Sequence, residues 1–300
     1  MCGIVGYIGK RDITPVLLNG LKKLEYRGYD SAGIAVLTEN KISVVKTKGR
    51  LTALEEKLKN ENLNGSVGIG HTRWATHGEP NDVNSHPHIS NNGKIAVVHN
   101  GIIENYLKLK EFLTGKGYQF MSDTDTEVIA HLIEYNYKGD ILKAVINTMN
   151  DVEGAYALGV VCIDYPDRFI AARKDSPLIV GIGKDENFIA SDIPAILEYT
   201  RDVYILEDKE IACISADGVE IYNLLGDKVS KEIFHVDWDV TSAEKGGYEH
   251  FMMKEICEEP SVIKATISPR IQDNRIVFEK LNISDEMIRN CEKINIVACG

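Results

Sequence analysis

Nine short apolar runs of β type, at residues 3–8, 33–37, 42–47, 67–72, 95–99, 155–163, 169–172, 178–182 and 210–215, follow one another with few helices between them. Strands joined so directly pair antiparallel, because a parallel neighbour needs a long crossover. The spacing predicts only four helices among them. Thr14 can cap the first, with Pro15 at its first position and Leu17, Leu21 and Leu24 on one face. The others are expected over 104–113, 126–137 and 141–149. Two sheets with helices on their outer faces bury such strands, which predicts a layered α+β domain.

Composition changes over 239–247, where Thr-Ser-Ala-Glu-Lys-Gly-Gly reads as a linker. The expected division is therefore 2–240 and 241–300. In the second part, 247–267 has a helical pattern and 284–293 reads as a helix capped by Ser284. Residues 294–298 read as a buried-type strand, after which the sequence stops. A strand of that kind needs neighbours, so the second part is expected to be truncated.

Acidic residues outnumber basic ones by 45 to 34, for a formal net charge of -11. That balance gives no general attraction to nucleic-acid phosphates or anionic lipid. The longest apolar stretches, such as 157–163, fall short of the about 20 residues a membrane helix needs. No signal-peptide pattern opens the chain, and a cytoplasmic protein is expected. The six cysteines, at 2, 162, 213, 257, 291 and 299, include no C-x-x-C pair and are too sparse for a disulfide scaffold.

Chemistry concentrates in four places. Removal of Met1 leaves Cys2 with a thiol and a free α-amine, whose pKa of about 8 suits it to take the thiol proton and return it to a leaving group. Alone, Cys2 reads more readily as a small packed residue. The segment His71-Thr72-Arg73-Trp74-Ala75-Thr76-His77-Gly78 ends a strand, and Arg73 can grip a carboxylate with two parallel hydrogen bonds. Asn100-Gly101 ends another strand, either as a turn or as an oxyanion site built from the Asn100 amide and the Gly101 N–H. Ser122-Asp123-Thr124-Asp125-Thr126-Glu127 precedes a helix, with Thr124 and Glu127 spaced as a capping box and Asp125 free to face an ammonium group. Together, Arg73 and Asp125 suit an amino-acid zwitterion.

The ordered set Met-Cys-Gly-Ile-Val-Gly, Tyr26-Arg27-Gly28-Tyr29-Asp30-Ser31-Ala32-Gly33, 71–78, 99–105 and 122–128 resembles the glucosamine-6-phosphate synthase family, class II glutamine amidotransferases with an N-terminal nucleophile. The resemblance implies a four-layer αββα sandwich of the N-terminal nucleophile hydrolase type over 2–240. A linker and an incomplete α/β sugar isomerase segment would follow, since 247–256 and 294–300 resemble the entry and first strand of the family's isomerase half. It also implies Cys2 as nucleophile and base, Asn100 and Gly101 as the oxyanion site, and Arg73, Thr76, His77 and Asp125 around L-glutamine. Arg27 would support the site, and Trp74 would move to open a route for ammonia. The family's acceptor, fructose 6-phosphate, would be reached only through the missing isomerase half, so this chain alone is expected to act as a glutaminase. Full-length members are expected to be homo-oligomers, and no cofactor is implied.

Three other readings stand beside this one. Histidines 71, 77, 86, 88 and 99 invite a metal site, against which His86-Pro87-His88 suits no regular helical ligand pair and no cysteine lies near. A chain that keeps Met1 would be a glutamine-binding regulatory module without a catalytic amine. Phosphoribosylpyrophosphate amidotransferases use the same scaffold with another ammonia acceptor, but the 71–78 and 122–127 segments and the tail resemble the amino-sugar family better.

Overall fold

The computed structural model describes residues 2–38, 41–237, 246–272, 275–278 and 283–297. The chain divides into two units, Met1–Ala243 and Glu244–Gly300. The first begins with β1 (Gly3–Ile8), α1 (Ile13–Leu24), β2 (Ser31–Thr38), β3 (Lys41–Lys48), α2 (Leu51–Leu58), β4 (Val67–Arg73), β5 (His88–Ile89) and β6 (Ile95–Ile103). Three helices follow, α3 (Tyr106–Gly115), α4 (Thr126–Asn136) and α5 (Ile141–Asp151). Then come β7 (Gly154–Cys162), β8 (Arg168–Lys174), β9 (Ile179–Ile182), β10 (Asn187–Ala190), β11 (Asp202–Ile205), β12 (Glu210–Ser215), β13 (Val219–Tyr222), β14 (Lys228–Val229) and β15 (Phe234–His235).

These strands form an eight-stranded sheet in the order β15-β11-β9-β10-β1-β4-β2-β3 and a seven-stranded sheet in the order β14-β13-β12-β8-β7-β6-β5. All the ladders are antiparallel. Alternation along each strand sorts side chains into three apolar layers. In β1, Val5 and Tyr7 join the layer under α1 and α2, whereas Ile4 and Ile8 face the other sheet. In β6, Ala96 and Val98 face the first sheet and Ile95, Val97 and Ile103 pack under α3, α4 and α5. Helix, sheet, sheet, helix is thus the order of layers, as the α+β αββα expectation had it. Leu17, Leu21 and Leu24 on α1 are fully buried, each stabilising the packing by about 1.5–3 kcal/mol.

Local differences have physical causes. Helix α1 starts after Asp12 rather than Thr14, which puts Thr14 and Pro15 inside the first turn, where a missing N–H costs nothing. The capping box at 124–127 forms by half. Thr124 Oγ1 accepts from the Glu127 N–H at 3.4 Å, but the Glu127 carboxylate turns to the Met121 and Ser122 N–H groups, at 2.9 and 2.7 Å. Helix α2 and six strands, β5, β10, β11, β13, β14 and β15, were not expected; the strands are two to four residues long, too short for alternation to register.

In the second unit, α6 (Phe251–Ile267) precedes a small hairpin of β16 (Ile271–Gln272) and β17 (Arg275–Ile276), and α7 (Asp285–Arg289) follows. Ser284 caps α7 as expected, its hydroxyl accepting from the Met287 N–H at 3.2 Å, although the helix is shorter than 284–293. The expected strand at 294–298 is a correction: residues 294–297 lie in no strand and are exposed, because none of the described residues pairs with them. Residue 298 and most of the expected linker lie outside the described residues.

Candidate active site

The two sheets of the sandwich meet at one end of strands β1, β4 and β6. Gly3 pairs with Thr72, so Cys2, one residue before β1, lies by register beside Arg73 at the end of β4. The Trp74 backbone N–H donates to Cys2 Sγ at 3.2 Å. From the facing sheet, the Asn100 side-chain nitrogen donates to the Cys2 carbonyl at 3.1 Å. The expected nucleophile and the expected oxyanion donor therefore come from opposite sheets and are brought together by sheet packing.

Cys2 is half-buried, and burial raises its thiol pKa above the ordinary value, while the Trp74 N–H pulls it back down and the Asp30 carboxylate raises it further. Gly101 has φ of +134°, and a Cβ there would sit 2.0 Å from the Ala155 carbonyl oxygen on β7. Only glycine allows that approach. The Asn-Gly pair is thus no hairpin turn but a kink inside β6, which continues to Ile103.

Arg73 is almost wholly buried. Its Nη2 donates to the carbonyl oxygens of His77 and of Gly78, the latter at 3.2 Å, while Nη1 has no hydrogen-bond partner among the described residues. A buried guanidinium with a spare donor suits an anion chemically; burial lowers its pKa while Asp30, Cys2 and Asp125 hold it up. Asp125 lies just before α4 but caps nothing; one carboxylate oxygen accepts from the Ile103 N–H at 2.8 Å. Arg73 lies beside Cys2 by register, and Asp125 is tied to Ile103, three residues beyond Asn100 on β6.

The remaining expected residues are exposed or half-buried. Thr76 Oγ1 lies 3.3 Å from His77 Nδ1, and the His77 ring meets the edge of Tyr106 at 5.3 Å. Trp74 is half-exposed and packs edge-on to Tyr29 at 5.3 Å. Arg27 pairs with Asp192 and donates to the Tyr26 hydroxyl at 2.9 Å. Next to Asp192, Ser191 Oγ accepts from the Ile4 N–H at 3.0 Å, so Arg27 braces the segment that holds β1 in place.

Two residues went unassigned in the sequence. Asp30 accepts from the Ala75 N–H and from Ser31 Oγ at 3.0 Å, and its own N–H donates to the Arg73 carbonyl at 3.1 Å. It thereby fixes the backbone on both sides of Trp74; its place in the 26–33 motif was the available signal. His71 reaches across from β4 to β6. The histidines form no metal cage: among the described residues, no group of three or more His, Cys, Asp or Glu is placed to hold an ion. Instead His71 stacks on His86 at 4.2 Å, His86 meets His88 edge-on at 4.9 Å, and His88 Nε2 lies 3.0 Å from Thr124 Oγ1.

Residues 71–198 match the glutamine amidotransferase domain model. The whole chain aligns at 60% identity with a glutamine–fructose-6-phosphate aminotransferase (isomerizing) of Caldanaerobacter subterraneus subsp. tengcongensis, covering 50% of that protein. It aligns at 50% identity with the enzyme of the same name from Aquifex aeolicus, again covering 50% of it. The chain thus spans about half the length of the curated relatives it matches. Among solved structures, the glutamine phosphoribosylpyrophosphate amidotransferase of B. subtilis superposes with a TM-score of 0.65 at 28% identity, over 74% of this chain and 49% of that one. No helix among the described residues is long and apolar enough to cross a membrane. The chain belongs to the class II glutamine amidotransferases of the N-terminal nucleophile type, and its curated relatives are glutamine–fructose-6-phosphate aminotransferases.

Proposed function

We propose that this chain hydrolyses the side-chain amide of L-glutamine at Cys2 once Met1 is removed. The observation that carries the reading is the convergence on Cys2 of the Trp74 N–H and the Asn100 amide, beside a buried arginine with an unused donor. Arg73 holds the α-carboxylate of glutamine and Asp125 its α-ammonium, with Thr76 and His77 at the rim. The Cys2 α-amine takes the thiol proton as Sγ attacks the amide carbon. Negative charge on the tetrahedral oxygen falls on the Asn100 N–H and the Gly101 N–H. The amine's proton then leaves with ammonia, and a γ-glutamyl thioester remains. Water, deprotonated by the same amine, releases glutamate and regenerates the thiol.

The relatives' names supply the destination of the ammonia. In a longer protein of which residues 2–240 are the glutaminase part, it passes to fructose 6-phosphate, with Trp74 gating its route and the protein assembling as a homo-oligomer. The chain by itself yields glutamate and ammonia only; glucosamine 6-phosphate formed by it alone would overturn that limit. A reducing, cytoplasmic setting suits an unpaired nucleophilic thiol.

A glutamine-mimicking electrophile, followed by peptide mass spectrometry, tests the reading. The adduct is expected on Cys2, and labelling elsewhere refutes the mechanism. Intact mass measured on the same sample reports Met1. A chain that keeps Met1, binds glutamine and turns over none would be a regulatory glutamine-binding module instead.

A further inference from the structure

His71 meets the Asn100 amide at its oxygen, while the amide nitrogen meets Cys2. His71 is fully buried on β4, and its Nε2 lies 3.0 Å from the His99 carbonyl oxygen and 2.9 Å from Asn100 Oδ1. A backbone carbonyl only accepts, so Nε2 carries the proton. Nδ1 has no hydrogen-bond partner among the described residues, which fits a bare lone pair on a ring stacked against His86. Burial pushes the pKa of His71 down to about 3, so the ring is neutral and holds only this one N–H at ordinary pH.

That proton dictates which end of Asn100 points where. With Oδ1 against the Nε2–H, the amide nitrogen faces Cys2 and donates one hydrogen to the Cys2 carbonyl at 3.1 Å. Its second hydrogen stays available. Turning the amide over would set two donors against each other at His71 and two acceptors against each other at Cys2, in a buried place that water cannot relieve.

We propose that His71 is a positioning residue for the hydrolysis, its Nε2–H holding the Asn100 amide so that the nitrogen, not the oxygen, faces the reacting carbonyl. This rests on the glutaminase reading above. A glutamine side chain at 71 carries its terminal NH2 about where Nε2 lies, whereas an asparagine reaches only to the position of Nδ1, where no acceptor waits. The two variants share chemistry and differ in reach.

The test is steady-state glutaminase kinetics on the full chain with Met1 removed, comparing wild type, His71→Gln and His71→Asn. The loss of a properly aimed oxyanion donor should lower kcat of His71→Asn by about 10- to 100-fold, with KM for glutamine within about threefold and glutamine binding in a Cys2→Ala background unaltered. His71→Gln should recover most of that kcat. Equal kcat in the Asn variant and wild type overturns the proposal, as does a loss shared by kcat, KM and thermal stability that Gln fails to rescue. If instead the wild type hydrolyses no glutamine, the glutaminase reading itself falls and takes this inference with it.

Discussion

The Trp74 backbone N–H points at Cys2 Sγ from 3.2 Å, and Asp30 holds that stretch of backbone in place by accepting the next N–H, that of Ala75. Asp30 therefore acts on the thiol in two opposing ways. Its hydrogen bond keeps the Trp74 donor aimed at sulfur, which favours the thiolate, while its negative charge disfavours it. Substitution separates the two. Asp30→Asn keeps an acceptor for Ala75 and removes the charge, so Cys2 should be alkylated by iodoacetamide at least as fast as in wild type at pH 7.5. Asp30→Ala loses the acceptor and should slow alkylation by about tenfold, equivalent to about one unit of thiol pKa. A slower Asn variant would mean that a neutral acceptor fails to hold the Ala75 N–H and that the tether needs the carboxylate.

Arg73 and Asp125 are expected to govern affinity rather than chemistry. Arg73→Lys replaces a planar fork by a point charge and removes the unused Nη1 donor. Hydrogen bonds to charged groups contribute about 1.5–3 kcal/mol, so KM for glutamine should rise about 10- to 100-fold with a smaller change in kcat. Asp125→Asn should act similarly and still fold, since its oxygen can continue to accept from the Ile103 N–H. Rate assays across glutamine concentration separate these outcomes from a loss of kcat alone.

Much of this was legible in the sequence, for identifiable reasons. Long strands announce themselves by alternation, which is why β1, β4, β6 and β7 and the layers they bury could be anticipated. Cys2, Arg73, Asn100 and Asp125 stood out by residue type, and the structure brings them to one end of β1, β4 and β6. The short outer strands have too few residues to show a period. The role of Asp30 depends on a contact with Ala75, 45 residues away, and that of His71 on a neighbouring sheet. Such pairings follow from register across the sandwich, which no local pattern encodes.

Acid should destabilise the fold in two windows that begin at different pH. Burial lowers the pKa of His71 to about 3, and those of His86, His88 and His99 below the ordinary histidine value. As pH falls through 6.5, the unfolded chain takes up protons that the folded chain refuses. Stability therefore rises with pH over this range and drains away on acidification from 6.5 toward the folded-state values. Glu127 is different: burial alone would raise its pKa, but hydrogen bonds from His131, Met121 and Ser122 hold it down to about 2. Its contribution is complete above about 4.5 and lost between there and 2. Denaturant midpoints measured from pH 7.5 down to 4 should decline from about pH 6.5 onward. A flat profile between 6.5 and 5 would contradict a neutral, buried histidine cluster.

Gly101 offers the sharpest separation of strain from space. An alanine at φ of +134° would press its Cβ to 2.0 Å from the Ala155 carbonyl, so β6 and β7 must part where the proposed oxyanion donor lies. Gly93 also has a positive φ, +74°, but nothing lies within 4 Å of an added Cβ. Gly93→Ala should thus cost only the backbone term of about 1–2 kcal/mol and leave glutaminase activity intact. Gly101→Ala should cost more than that and also lower kcat, because Asn100 is carried on the same displaced strand. Thermal melts of both variants, read with kcat at saturating glutamine, test the contrast. Equal destabilisation with full activity in the Gly101 variant would show that the strand accommodates the methyl group elsewhere and that the kink has no part in the chemistry.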